Sequence, residues 1–152
     1  MTLKNSQIEY GSVAKALHWL VAIGIFALLW LGLEQSGMDR GPERQAVRDL
    51  HGSIALIVFA LMSVRIIWRF MNVVPGHPAG TPGWQRAAAA LVHWGLYVSV
   101  FVQIVAGAMA VSTGGRPLAF FGLFSIPMPV AESDERHEFW EEIHESLWAV
   151  IV

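Results

Sequence analysis

The sequence predicts an all-α integral membrane protein, a four-helix bundle whose fourth helix is incomplete within residues 1–152. Three observations lead to this prediction. Charged residues make up only 14% of the chain, against about a quarter in soluble domains. Three apolar stretches approach or exceed the roughly 20 residues that a spanning helix needs. A fourth segment has helical periodicity and becomes apolar only at its end. We expect a single membrane domain.

The first predicted helix covers about residues 14–34. Its apolar part runs from Ala16 to Leu33 and contains one conventionally polar side chain, His18. A cleaved signal peptide is the alternative interpretation. However, this segment is longer than the usual apolar region of a signal peptide, and no small-residue cleavage motif follows it. We therefore expect a retained helix.

Two further helices are predicted at about residues 47–71 and 86–111. The second has no charged side chain between His51 and Val64. The third is interrupted by only three polar side chains, those of His93, Ser99 and Gln103. Proline and glycine residues in the connecting segment, residues 71–86, exclude one continuous helix from the second span to the third. Glycines within the spans, Gly24, Gly95 and Gly107, allow close helix packing or leave room for a porphyrin.

The fourth helix is predicted at about residues 135–152, after a Pro/Gly-rich connection at 112–134. Phe139, Ile143 and Leu147 recur at four-residue spacing, which is typical of a helix. The six residues from Leu147 onward rise only about 9 Å, far less than a bilayer. We therefore expect that this helix is truncated in the sequence.

The orientation in the membrane is predicted from the positions of the cationic residues. The ten cationic residues divide five against five between the two sides, so their number does not decide the orientation. Lys15, Arg65, Arg69 and Arg86 lie close to the ends of spans on the same side. We therefore predict a multi-pass protein of the bacterial inner membrane with a cytoplasmic N-terminus.

Histidines form two layers along the predicted spans. His18 and His93 lie near the cytoplasmic ends of their helices, whereas His51 and His144 lie near the periplasmic side. Ionisable groups inside a membrane usually face a bundle interior or a cofactor, and imidazoles are axial ligands of heme iron. Two layers suit two hemes stacked across a bilayer.

Other interpretations of these histidines stay open. A single histidine near a span end often bonds to a carbonyl or a lipid headgroup, and zinc is a competing metal. His77 lies in a Pro/Gly loop and His137 lies among acids, so we expect both on the solvated surface. The chain has no cysteine, which excludes disulfides, iron–sulfur clusters and thiolate chemistry. Its net charge of −2 gives no reason to expect nucleic-acid binding.

An arginine recurs every four residues ahead of His51: Arg40, Arg44 and Arg48. If the second helix begins early, these side chains form one stripe. The stripe could pair with heme propionates or attract a small anion. A solvated face paired with neighbouring acids is the alternative.

Five segments of the chain resemble the bacterial cytochrome b561 family, and within it the superoxide oxidase group. They are AKALHWL, RDLHGSIALIVFALMSVRIIWR, LVHWGLYVSVFVQIVAGAM, GRPLAFFGLFSIPMP and WEEIHESL. The resemblance runs from about residue 8 to the end of the sequence. It is specific because HW, LHG, VHWGLY and the Phe-rich loop occur together and in order.

The resemblance implies a four-helix bundle with two b hemes. By position, His51 and His144 would hold the outer heme. His18 would hold the inner heme, with a fourth histidine about four turns beyond His144. The sequence ends before that position. His93 is therefore a candidate substitute ligand, or a contact to a quinone or propionate, and one heme is the expectation for a truncated chain.

The resemblance also implies an oxidoreductase that oxidises periplasmic superoxide and reduces ubiquinone within the lipid bilayer. Arg40, Arg44, Arg48 and Arg116 would then steer the anion, although many acids on that side oppose them. A cytochrome b subunit that relays electrons between a dehydrogenase or hydrogenase partner and quinone is the first alternative. A non-redox metal-binding or interaction protein of the membrane is the second.

Overall fold

The computed structural model describes residues 2–151 and consists mainly of four helices. The elements in chain order are α1 (Ser12–Ser36), α2 (Pro42–Met71), α3 (Gly83–Thr113), β1 (Leu118–Phe120), β2 (Phe124–Ile126) and α4 (Asp134–Ile151). Helices α1, α2 and α3 are each long and apolar enough to cross a membrane. The predicted all-α membrane bundle is confirmed.

The helices pack as two antiparallel pairs, α1 with α2 and α3 with α4, which meet where α2 contacts α3. A Cβ atom built on Gly24 would lie 2.5 Å from a Val58 methyl group, so glycine lets α1 approach α2 closely. The buried core joins α1, α2 and α3 through Val21, Val58, Met62, Tyr97, Val100 and Ile104. Because α3 is antiparallel to both α2 and α4, the latter two helices run parallel.

Helix α2 begins at Pro42, five residues before the predicted start at 47 (47 − 42 = 5). Proline is favoured at the first helical position because its missing N–H needs no partner there. Glu43 in the first turn also interacts favourably with the positive end of the helix dipole. Arg44 and Arg48 therefore lie on the helix, and Arg40 precedes it.

The N-terminal segment and the α2–α3 connection share one end of the bundle. The Asn5 side-chain amide donates a hydrogen bond to the Val73 carbonyl at 2.9 Å. The Gly76 N–H donates to the Gln7 carbonyl, also at 2.9 Å. We call this end the N-terminal end, and the opposite end, with the β-strands, the hairpin end.

The α3–α4 connection contains a β-hairpin that the sequence analysis described only as a loop. Its turn has positive φ at both central residues, 48° at Phe121 and 69° at Gly122, and the Leu123 N–H donates to the Phe120 carbonyl at 2.9 Å. This is the turn geometry that joins tightly twisted strands. Phe120 and Phe124 face each other across the register and stack at 5.0 Å.

Ser53 attaches this hairpin to α2. Its hydroxyl is fully buried, donates to the Asp49 carbonyl at 2.6 Å and accepts the Phe121 N–H at 2.8 Å. The bond to Asp49 lies within α2 and would not by itself hold the α3–α4 connection in place. The contact to Phe121 therefore fixes the hairpin beside the first turns of α2.

We predict that Ser53→Ala lowers the free energy of unfolding by about 1–3 kcal/mol, because the Phe121 N–H would lose its acceptor. Ser63→Ala is the matched control, since within residues 2–151 the Ser63 hydroxyl donates only to the Phe59 carbonyl of its own helix. The measurement is unfolding of the detergent-solubilised protein by titration with sodium dodecyl sulfate. Equal losses in the two variants would show that the hairpin contact adds no stability.

Candidate cofactor site

The His51 and His144 rings lie next to each other between the two helix pairs. Their ring centroids are 6.2 Å apart and their planes cross at 76°. Metal–imidazole bonds are about 2 Å long, so two imidazoles on opposite sides of one metal ion have centres about 6 Å apart. The structure therefore brings together these two predicted ligands at a separation that fits a shared metal ion.

A backbone hydrogen bond fixes the tautomer of His144. Its Nδ1 lies 2.8 Å from the Gln103 carbonyl oxygen, which can only accept, so Nδ1 carries the proton. Nε2 is then left as the metal-binding atom, an arrangement that is common for ligating histidines. The Gln103 side-chain amide also donates to the His144 carbonyl at 2.8 Å. Two hydrogen bonds between the same two residues therefore hold α4 against α3.

A glycine of the neighbouring helix lies against each ring, but only Gly107 is so close that a Cβ atom would collide with it. A Cβ atom on Gly107 would lie 2.8 Å from Cε1 and 3.0 Å from Nδ1 of His144. On the other side, a Cβ atom on Gly32 would lie 3.7 Å from Cε1 of His51. Gly107 was among the glycines that the sequence singled out. Gly32 was not, because nothing in the sequence pairs it with His51.

The donor set fits heme better than a bare metal ion. Within the described residues, no group of three or more histidine, cysteine or acidic side chains could hold a metal. Zinc needs at least three protein ligands, whereas a porphyrin supplies its own four nitrogens and needs only axial imidazoles. On the α1 side, the buried Nδ1 atom of His51 makes only a loose contact with the Leu28 backbone, the counterpart of the His144 contact to Gln103.

Charged residues lie next to this pair, toward the hairpin end. Arg48 and Glu141 each precede their histidine by three residues, and Arg44 and His137 each precede it by seven. Because α2 and α4 run parallel, the two members of each pair lie at the same level. Arg48 interacts electrostatically with Arg44, Arg116 and Glu141. The Nε atom of Arg44 is buried without a partner among the described residues. Three of the four predicted arginines therefore converge, while Arg40 lies exposed ahead of α2.

The prediction that His137 is a solvated surface residue was wrong. Its ring is half-buried, and Nδ1 lies 2.8 Å from the Ala110 carbonyl oxygen. The contact repeats the His144–Gln103 contact seven residues away on both helices (144 − 137 = 7 and 110 − 103 = 7). The acidic residues around His137 suggested a solvated face, so the contact with α3 was not predicted. The seven-residue spacing between His137 and His144 was the signal in the sequence that could have predicted it.

His18 and His93 lie at a second level, toward the N-terminal end. His18 precedes Gly32 by fourteen residues, and His93 precedes Gly107 by fourteen, so both lie about 21 Å from the first pair along their helices. The two rings do not stack on each other within residues 2–151, but they are close enough to interact electrostatically. Each packs on its own helix instead, His18 against Trp19 at 5.6 Å and His93 against Tyr97 at 6.3 Å. His77 is exposed in its loop.

Comparison with known proteins identifies relatives that cover nearly the whole chain. The family model for prokaryotic cytochrome b561 matches residues 9–152. Cytochrome b561 homolog 2 of Escherichia coli strain K12 is 31% identical over 160 aligned positions, which cover 100% of this chain and 82% of the relative. Cytochrome b561 homolog 1 of the same strain is 27% identical over 137 positions, which cover 89% and 76%.

We predict that Gly107→Ala destabilises the α3–α4 pair by about 1–3 kcal/mol, because the new methyl group would collide with the His144 ring. Gly95→Ala on the same helix is the control, since a Cβ atom there meets nothing within 4 Å. Unfolding in sodium dodecyl sulfate measures the difference. Similar stability of both variants would contradict the close fit between Gly107 and His144.

Proposed function

Because this chain belongs to the prokaryotic cytochrome b561 family, we propose that it is a superoxide:ubiquinone oxidoreductase of the membrane. The family consists of membrane heme b proteins that transfer electrons, so the chain is a multi-pass bacterial membrane protein with an oxidoreductase role. Superoxide as the donor and ubiquinone as the acceptor are the parts that we propose here.

The proposal starts from a heme b held by His51 and His144. The ring separation of 6.2 Å between them is the observation that supports it most directly. When bound, heme supplies an iron that takes up and releases one electron at a time. His144 offers Nε2 because its Nδ1–H is held by Gln103, and such a bond also makes the ligand more basic. His51 would hold the iron from α2 as the second imidazole ligand.

A second heme at the N-terminal end would be held by His18, as in the family. His93 lies at the same level and is either a substitute ligand or a contact to a quinone or propionate. The distance of about 21 Å between the two levels is compatible with hemes stacked across the apolar part of a bilayer. Electrons could then pass from one membrane face to the other.

In the proposed reaction, two superoxide anions each lose one electron and become dioxygen. One ubiquinone takes up the two electrons with two protons and becomes ubiquinol. No protein group forms a bond to superoxide in this outer-sphere transfer, so the residues bind the cofactor and guide the anion. We place the hairpin end in the periplasm and the N-terminal end in the cytoplasm of an inner-membrane protein.

Arginines at the hairpin end would attract superoxide. Arg44, Arg48 and Arg116 are close enough to interact, and their like charges raise the local positive potential next to His51. Arg40 would extend this potential outward from the start of α2. The exposed acids of α4 act against it, so the net steering depends on how near each group lies to the heme edge.

A relay of electrons from a partner protein is the second candidate function. It is favoured by the exposed acids Glu138, Glu142 and Glu145, which give α4 a negative face at the hairpin end. The hairpin, which packs mainly against α2 at the same end of the molecule, exposes Phe121 and Leu123 at its tip. A basic redox protein would complement such a surface, and a small anion would not.

A single experiment separates these functions. The protein is purified in detergent, its heme is quantified as the pyridine hemochrome, and its absorbance is followed while xanthine oxidase generates superoxide. Heme reduction that superoxide dismutase abolishes supports the superoxide oxidoreductase. Reduction by ubiquinol but not by superoxide supports the relay, and a colourless protein contradicts both.

We predict that His51→Ala and His144→Ala each remove the heme that would be bound at the hairpin end, because either change removes one of the two imidazoles that would hold it. His77→Ala is the control and should keep the wild-type heme content. Pyridine hemochrome quantitation measures the heme per chain. Unchanged heme in both site variants would refute the assignment of these ligands.

We predict that joint replacement of Arg40, Arg44 and Arg48 by glutamine slows heme reduction by superoxide and flattens its dependence on ionic strength. Both effects follow from the loss of a screened attraction between the protein and the anion. Arg86→Gln, at the opposite end of the molecule, should leave the rate unchanged. A triple variant with the wild-type rate and salt dependence would exclude these arginines from steering.

A further inference from the structure

Helix α2 continues its inward-facing stripe with two arginines at the N-terminal end. Val58 and Met62 of this stripe are buried, and Arg65 and Arg69 follow at helical spacing, fourteen and eighteen residues after His51. At about 100° per residue, both arginines return to nearly the same side of the helix as His51. Arg65 therefore lies at the level of His18 and His93.

Aromatic rings of α3 lie beneath both guanidinium groups. The Cζ atom of Arg65 is 5.3 Å from the centre of the Tyr97 ring, and that of Arg69 is 5.8 Å from the Trp94 ring. The two rings are themselves 5.7 Å apart. Tyr97 is buried, so this surface belongs to the contact between α2 and α3. The cation–π contacts orient the two guanidinium groups but do not neutralise their charge.

No carboxylate neutralises these arginines within residues 2–151. Neither forms a salt bridge there, and the imidazoles near them, His18 and His93, are not anions. Only one of the twelve acids, the exposed Glu9, belongs to the N-terminal end, and the other eleven lie toward the hairpin end. Unpaired cations are costly in an apolar membrane environment and normally have a partner. Both arginines are partly buried at a span end, where a cation either reaches water or binds an anion, and an anion would have to come from outside residues 2–151.

We propose that Arg65 and Arg69 form an oxyanion site at the N-terminal end, which binds a carboxylate or a phosphate group. A guanidinium group donates two parallel hydrogen bonds, and that geometry matches both of these anions. The propionate of a heme bound at this level and the phosphate of a phospholipid are two sources of the same chemistry. The phospholipid alternative goes beyond the proposed function, whereas the propionate alternative rests on the second heme of that function.

The test uses Arg65→Gln, Arg69→Gln and the double variant of the purified full chain. Arg86→Gln is the matched control, because Arg86 is an exposed arginine at the same end, in the first turn of α3. Two quantities are measured after extensive detergent washing: phospholipid phosphorus per protein and the heme midpoint potentials. Loss of one charge-assisted contact should weaken anion retention about tenfold.

The two sources give different results. Lower phosphorus with unchanged potentials identifies the phospholipid. A lower midpoint potential with unchanged phosphorus identifies the propionate, because loss of a nearby cation disfavours the added electron. If neither quantity differs from Arg86→Gln, the proposal is wrong. If the glutamine variants fail to accumulate, Arg65→Lys and Arg69→Lys replace them. These variants keep the charge but lose the two parallel hydrogen bonds of a guanidinium group. Wild-type phosphorus and wild-type potentials in both lysine variants would also show that the proposal is wrong.

Discussion

The hydrogen bond from His144 to the Gln103 carbonyl is the contact on which the candidate site depends. It gives the imidazole one orientation and one tautomer, and the Gln103 side chain strengthens the same connection from α3 to the α4 backbone. Gly107 makes this approach possible because it has no side chain. In an apolar environment such bonds have little competition from water. The position of the histidine pair thus follows from how α4 is held on α3.

Helix α2 organises charge at both ends of the molecule. At the hairpin end, Arg44 and Arg48 lie beside His51, where Arg116 and Glu141 also interact with them. At the N-terminal end, Arg65 and Arg69 lie over aromatic rings of α3. Buried apolar residues separate the two groups along one stripe of the helix. A small anion, or the anionic groups of a cofactor, at either end of the molecule would therefore meet arginines of α2. The same helix also carries His51, one of the two proposed cofactor ligands.

Much of the fold could be predicted from the sequence because apolar length is a local property. The three spans and the helical character of the last segment were all correct, and only their ends differed by a few residues. The hairpin was missed because its apolar, Phe-rich strands give no alternating pattern, and its attachment to Ser53 joins residues 68 positions apart. His137 was misassigned because its acidic neighbours suggested a solvated face.

The sequence by itself determined the membrane character of the chain, the positions of His18, His51, His93 and His144 along their helices and, through motifs, the family to which the chain belongs. Because each residue of a helix rises by a fixed distance, the position of a histidine along its span follows from its residue number. Only the tertiary structure decided how the histidines pair: His51 and His144 lie 6.2 Å apart, while His18 and His93 share a level and interact electrostatically without stacking. Lateral neighbours depend on how helices pack, and that depends on glycines and hydrogen bonds between distant residues. The Gln103–His144 contact is such a case, since neither residue specifies the other in the sequence.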